Sequence, residues 1–136
     1  MGERLAAGPG SKAYGATSVL AQLACDVHVL RGIPRTVFHP APNVDSALVL
    51  MRRQAPTPAP ELTALVHAGF AHRRKALAGS LALAHDAGTD IRGAAREALV
   101  EIGHTADARA ERLAPGDWAR LGQILGEDRL ATLRRR

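Results

Sequence analysis

The sequence predicts a short α/β piece, one helix and two strands, followed by a small all-α domain. Three observations carry that reading. Val44 to Met51 is a Val-, Leu- and Met-rich run, apolar on both alternating faces from Ala47 onward, which suits a strand covered on both sides, as in an α/β sheet flanked by helices. Pro56, Pro58 and Pro60 then interrupt the chain, and alternating prolines mark a linker. Beyond them, apolar residues recur only at helical spacing.

Taken in order, Gly2 to Gly15 contains Gly8, Pro9, Gly10 and Gly15 and reads as turn and loop. Thr17 or Ser18 caps a helix running through Val19, Leu20, Leu23 and Ala24 to Cys25. Val27 to Arg31 is a short strand, ended by Gly32 and Pro34. Pro40 and Pro42 stiffen the connection that follows, because each fixes its own φ and pushes its predecessor out of the α region. The second strand runs from Val44 to about Arg52, and the two strands fit an antiparallel pair at one sheet edge.

Pro60 suits the first turn of a helix. Leu62, Leu65, Val66, Gly69 and Phe70 form its stripe, which continues through Leu77 and Leu81 toward Ala84, with a break expected near His72 to Arg74. Asp90 caps a third helix with Ile91, Ala94, Ala95, Ala98, Leu99 and Ile102 inward, stopped by Gly103. Pro115 opens a fourth, burying Trp118, Leu121 and Leu125. The expected organisation is residues 1–55 as the α/β part, 56–60 as linker, 61–128 as helical domain and 129–136 as a basic tail, disordered at Arg134–Arg136. The helices can bury their stripes against one another, so they form the more cooperative unit. The strand pair, short of a larger sheet, is the labile one.

Composition narrows the function. The 136 residues are 46% hydrophobic but only 3% aromatic, so Ala, Leu and Val do most of the packing. The net charge is +5, and all of the 18 basic residues except Lys12 and Lys75 are arginine. Such a balance suggests an anionic partner such as RNA; a GC-rich coding bias yields the same composition. The single cysteine, Cys25, excludes an intrachain disulfide and a Cys-rich metal site. The six histidines are scattered with no metal-ligand spacing, so no metal is expected. No apolar run approaches the roughly 20 residues of a membrane span, and the first residues do not form a signal peptide; the chain reads as cytoplasmic.

Two places carry candidate chemistry. Phe38 stands at the root of the stiff loop, where an aromatic ring either plugs the core or offers a flat face to a nucleobase. His72-Arg73-Arg74-Lys75 is either a solvated helix face or a phosphate-neutralising cluster. Lys12 and Tyr14 are further candidates for a nucleic-acid side. Asp45 and Ser46 suit bonds to loop backbone, and Arg109 with Glu111 suits a structural pair or an RNA contact. No serine sits in a nucleophile elbow.

The order of these residues resembles a family. Phe38-x-Pro40-x-Pro42-x-Val44-x-Ser46 is similar to the last motif of the RNA adenine dimethyltransferases, which comprise the small-subunit ribosomal RNA enzymes and their macrolide-resistance (Erm) relatives. Gly10-Ser11-Lys12-Ala13-Tyr14-Gly15 with Ser18-Val19 resembles the loop before that domain's last helix. Phe70-x-x-Arg73-Arg74-Lys75 with Leu77 and Ser80-Leu81 resembles the opening of the helical C-terminal domain, and Arg109-Ala110-Glu111 with Leu113 the segment before its final helix. The matches favour the ribosomal branch.

The resemblance implies a fold, a chemistry and a set of roles. The fold would be the last helix and last two strands of a Rossmann-like methyltransferase sheet, followed by an RNA-docking domain. The activity would be S-adenosylmethionine-dependent dimethylation of adenines in small-subunit ribosomal RNA, within ribosome biogenesis, on the RNA or a pre-ribosomal particle. Phe38 would stack on the target adenine, and Arg73, Arg74, Lys75 and Lys12 would contact RNA. The family's Gly-rich turn for the methyl donor and its Asn-x-x-Tyr motif are not found in this sequence. The chain is therefore expected to be a C-terminal portion, inactive alone. The alternatives are a non-catalytic basic RNA-binding module, a fragment of an Erm-type large-subunit enzyme or, more weakly, a DNA-binding helical domain, although no stripe shows a base-reading face.

Overall fold

The computed structural model describes residues 2–41, 43, 45–84 and 91–133. The elements are α1 (Gly2–Ala6), α2 (Ala16–Ala24), β1 (Cys25–Ile33), a 3₁₀ turn (Arg35–Val37), β2 (Ser46–Arg53), α3 (Pro60–Phe70), α4 (Leu77–Ala84), α5 (Ile91–Glu101), a second 3₁₀ turn (Ala110–Arg112), α6 (Pro115–Leu125) and α7 (Glu127–Leu133).

The first element departs from expectation. Gly2–Ala6 is a helical turn rather than loop. One turn is marginal by itself, and its terminal carbonyls need partners. Side chains of α2 supply them: Ser18 Oγ donates to the Arg4 carbonyl, and Gln22 Nε2 donates to Leu5 O and Ala7 O, each at 2.8 Å. The same hydroxyl accepts the Gly15 N–H at 3.1 Å. Ser18 therefore caps α2 from its third position, with Gly15 as the N-cap.

Helix α2 passes directly into β1. The strands pair antiparallel, from Cys25 opposite Arg53 to Val29 opposite Val49, then shift register at a bulge between Val29 and Arg31 and finish with Ile33 opposite Ser46. β1 reaches two residues beyond its expected span at each end, whereas β2 begins at Ser46, later than the expected Val44, and ends at Arg53. Helix α1 lies over the face carrying Ala47 and Val49: a methyl group placed on Gly2 would sit 2.8 Å from Val49 Cγ2. The burial on both faces expected for β2 is not met, since Leu48, Leu50 and Met51 are 46%, 41% and 45% exposed. Leu48 and Leu50 alternate away from the face that α1 covers, and that opposite face is open to water.

The helical half follows its stripes. Pro60 occupies the first turn of α3. The break after Phe70 is present, and buried Ser80 stitches it by donating to Ala68 O at 2.6 Å and accepting the His72 N–H at 3.2 Å. Residues 85–90 lie outside the described residues, and the expected Asp90 cap with them. Gly103, at φ +97, ends α5 as expected. Its N–H reaches Val100 O and the His104 N–H reaches Leu99 O, a closure that needs a left-handed residue.

The basic tail expected from residue 129 is instead helical as far as Leu133. Leu130 and Leu133 are buried, and Gly126 (φ +85) separates α7 from α6. Acidic Glu127 and Asp128 sit in its first turn, where the helix dipole favours them. Arg134–Arg136 lie outside the described residues.

A single hydrophobic cluster gathers Trp118, Leu121 and Leu125 of α6, Leu65 and Val66 of α3, Leu77 and Leu81 of α4, Ile91, Ala95 and Leu99 of α5, and Leu130 and Leu133 of α7. Tyr14 and Val19 belong to it as well, so the core spans the proline-rich segment. Where α3 crosses α6, a methyl placed on Gly69 would come within 2.6 Å of both Leu77 Cδ1 and Trp118 Cη2. Gly69→Ala is therefore expected to lower stability by about 1–2 kcal/mol net, overpacking outweighing the gain in helix propensity. Urea midpoints of the two proteins check it; an unchanged or raised midpoint would show that the Trp118 ring yields.

Candidate nucleic-acid interface

The loop between β1 and β2 begins at Pro34, whose fixed φ opens the 3₁₀ turn Arg35–Val37. Phe38 follows in extended conformation, its N–H on Arg35 O. Arg35 clamps the loop across ten residues: its N–H donates to Asp45 Oδ1 at 2.8 Å and its Nη1 to Asn43 O at 3.2 Å. Asp45 thus bonds loop backbone, as expected, while the clamp from Arg35 has no local sequence signal. The His39–Pro40 peptide is cis. Pro42 and Val44 lie outside the described residues. The Phe38 side chain is not a core plug: the residue is 42% exposed. At the root of this loop, Gly2, Glu3, Val29, Gly32, Asp45, Ser46 and Ala47 line a concavity of about 710 Å³.

The basic cluster occupies the turn between α3 and α4, and His72, Arg73, Arg74 and Lys75 are all solvent-exposed. Their environments differ. The Arg73 guanidinium lies 5.7 Å from the Phe70 ring centroid, within cation–π reach. Its Nη2 donates to the Tyr14 carbonyl and, at 3.3 Å, to Lys12 O. Arg73 and Lys12 are therefore brought together through backbone. The side chains of Arg74, Lys75 and Lys12 make no hydrogen bond or ion pair with other described residues. No hydrogen bond or ring contact joins Phe38 to this cluster among the described residues.

Tyr14 lies on the inside. It is fully buried and its hydroxyl donates to Leu113 O at 2.6 Å, so it does not line a nucleic-acid face. Burial pushes its phenol well above the ordinary range. Arg109 and Glu111 form no ion pair with each other. With Asp107 and Arg112 they line a concavity of about 590 Å³, and the Glu111 carbonyl accepts the Gly10 N–H at 2.7 Å. His104 Nε2 meets Asp117 Oδ2 at 2.9 Å, and the same carboxylate oxygen accepts the Ala114 N–H, capping α6. Among the described residues, no three His, Cys, Asp or Glu side chains converge as metal ligands, and no helix is long and apolar enough to cross a membrane.

Comparison with known proteins places this geometry. The family model for ribosomal RNA adenine dimethylase matches residues 1–125. Ribosomal RNA small subunit methyltransferase A of Streptomyces coelicolor is 47% identical over 126 residues, which cover 89% of this chain and 43% of that protein. Its counterpart in Thermosynechococcus vestitus is 39% identical over 129 residues, 92% of this chain and 47% of that one. The chain thus spans a little under half the length of these relatives. Among solved structures, a dimethyladenosine transferase from Plasmodium falciparum superposes with a TM-score of 0.72 at 20% identity, covering 90% of this chain and 52% of that one. The 23S rRNA methyltransferase ErmE gives a TM-score of 0.59 at 21% identity, covering 91% of this chain and 50% of that one; at these identities the likeness is one of fold. On the match across residues 1–125, the chain belongs to the ribosomal RNA adenine dimethylase family.

Proposed function

We propose that this chain supplies the base-facing loop and the RNA-docking helices of an S-adenosylmethionine-dependent adenine dimethyltransferase acting on small-subunit ribosomal RNA. The observation that carries the reading is the family match over residues 1–125, within which Phe38 stands open to solvent on a clamped loop. In this reading α2, β1 and β2 are the last helix and strands of the methyltransferase sheet. Residues 61–128 are the helical domain, and α7 extends it. The small-subunit assignment is supported by relatives at 39% and 47% identity.

The roles divide by chemistry. Adenine has a flat π-face, and an exposed phenyl ring on a stiff loop can stack on it at little conformational cost. Phosphates need only positive groups within reach, which Arg74, Lys75 and Lys12 offer. Arg73 adds its remaining N–H groups while holding the Lys12–Tyr14 backbone.

S-adenosylmethionine would supply the methyl group. The glycine-rich segment of this chain does not fit that cofactor. The Gly8-Pro9-Gly10 segment follows a helix, not a strand, and the Gly10 N–H is taken by the Glu111 carbonyl. Methyl groups on Gly8 or Gly10 would meet nothing within 4 Å, so no close backbone approach demands glycine there.

The expected result is that these 136 residues give no saturable heat with S-adenosylmethionine and no methyl transfer to small-subunit RNA. Micromolar binding or turnover above blank would show that they build a donor site after all. A chimera carrying the N-terminal half of the Streptomyces coelicolor relative should methylate that RNA, and Phe38→Ala within it should lose about ten- to a hundredfold in kcat/KM, in line with the ~1–3 kcal/mol measured for base stacking. Full activity of the Phe38→Ala chimera would remove the aromatic from the reading.

A further inference from the structure

The 3₁₀ turn Arg35–Val37 is a poor anchor by itself. A turn that short is marginal, and its first N–H groups find no partner within it. Here the Arg35 N–H is taken at 2.8 Å by Asp45 Oδ1. A carboxylate at the N-terminal end of a helical turn is favoured both by charge and as an acceptor. Asp45 is well placed to hold the turn, because the next residue, Ser46, pairs with Ile33 in the ladder. The carboxylate thus carries the join of the two strands one step past their last pair. On its other side, the Arg35 carbonyl accepts the Phe38 N–H at 3.3 Å. The two hydrogen bonds share one residue and run from the Asp45 carboxylate to the backbone of Phe38. The exposed Phe38 ring stacks on no other aromatic among the described residues, so its direction depends on that backbone.

We propose that Asp45 is a positioning residue for the base-stacking ring: it caps the Arg35–Val37 turn and thereby fixes where Phe38 presents its face to the target adenine. The inference rests on the stacking role proposed above for Phe38. What the turn needs from Asp45 is an acceptor oxygen at that place; the negative charge strengthens the bond without being required for it. Without the acceptor the turn frays and the ring samples several directions. The entropy of ordering it must then be met when the base arrives, at the reacting geometry. Docking of the RNA is spared, because its phosphates meet Arg74, Lys75 and Lys12 elsewhere on the chain. The loss therefore falls on kcat rather than on KM.

The chimera with the N-terminal half of the Streptomyces coelicolor relative tests it. Asp45→Ala should lower kcat on small-subunit RNA about three- to tenfold and leave KM within about twofold, since a small displacement is enough to slow a positioned reaction. Asp45→Asn keeps a side-chain oxygen for the Arg35 N–H and should recover most of the rate. Added to Phe38→Ala, Asp45→Ala should cost nothing further, because residues that act through one another are not additive. In the 136 residues alone, amide exchange followed by NMR at Arg35 and Phe38 should quicken about tenfold in Asp45→Ala. It should stay near the parent rate in Asp45→Asn, with the helical circular dichroism unchanged in both. A full kcat for Asp45→Ala beside an impaired Phe38→Ala would overturn the inference and leave the functional reading standing. An undiminished further loss in the double variant, or amides indifferent to Asp45→Ala, would overturn it as well. Full activity of Phe38→Ala would instead overturn the stacking role on which it rests.

Discussion

Replacing Trp118 with alanine should cost about 3–5 kcal/mol, a large share of the roughly 5–15 kcal/mol that keeps a domain folded, and should loosen α2 together with α3 and α6. Trp118 has no exposed surface. Its ring stacks on Phe70 at 5.4 Å and 27°, and Phe70 meets Tyr14 edge-on at 6.0 Å and 70°. Tyr14 closes the chain of contacts through its bond to Leu113 O, and Arg73 lies on Phe70 from outside. Three of the chain's four aromatics, all but Phe38, thereby join segments far apart in sequence. The loss is mainly burial, packing and the cavity left behind. Denaturant unfolding measures the cost. Hydrogen exchange decides its reach: if α2 kept its protection while α3 and α6 lost theirs, the segments on either side of the linker would fold independently. Tyr14 adds a pH signature. Its pKa is raised in the folded chain, mainly by burial. Its contribution is therefore complete below the ordinary phenol pKa of about 10 and is lost as pH rises beyond it.

This core changes the division expected from patterning. Helical stripes were legible because they recur: α3, α5 and α6 bury the apolar residues their spacing selects. The strand pair was legible from composition and from the prolines between its strands. What patterning does not encode is who covers whom. β2 reads as buried on both faces, yet water reaches Leu48, Leu50 and Met51. Tyr14 looks like a loop residue available to RNA, yet it is the point where the loop before α2 enters the helical core. α1 and α7 were missed because helices of one or two turns have almost no periodic signal. α1 depends on Ser18 and Gln22, more than ten residues downstream, and α7 on the burial of Leu130 and Leu133.

The candidate site shows the same limit. Prolines announce a stiff loop under Phe38, and Phe38 is indeed on the surface. The Arg35 clamp that joins the loop's ends cannot be read from a local window. In the basic cluster the four side chains look equivalent in sequence, whereas the fold sets Arg73 apart by aiming it at carbonyls 59 and 61 residues away.

That difference yields the sharpest expectation for RNA. Substituting Arg73, Arg74 and Lys75 together with alanine should flatten the slope of log affinity against log salt by roughly two to three units, since each phosphate contact contributes about 0.7–0.9, and affinity at low salt should fall roughly tenfold or more. The loss should not be shared evenly. Arg74→Ala and Lys75→Ala should each remove most of one unit while leaving the thermal midpoint nearly unchanged, because neither side chain has a partner among the described residues. Arg73→Ala should lower that midpoint as well, because its guanidinium binds the Tyr14 and Lys12 carbonyls and covers Phe70. Its effect on slope should be the smallest of the three, since part of its donor capacity is already used within the fold. Phe38→Ala should leave binding by these 136 residues nearly unchanged, because stacking contributes fully only when a base is held out of its helix from both sides. Fluorescence anisotropy on small-subunit RNA over a salt series, paired with thermal melts, separates these effects. A slope untouched by the triple substitution would reduce the cluster to a solvated turn. A Phe38→Ala loss equal to that of the triple variant, with the chain still folded, would move the principal RNA contact to the loop.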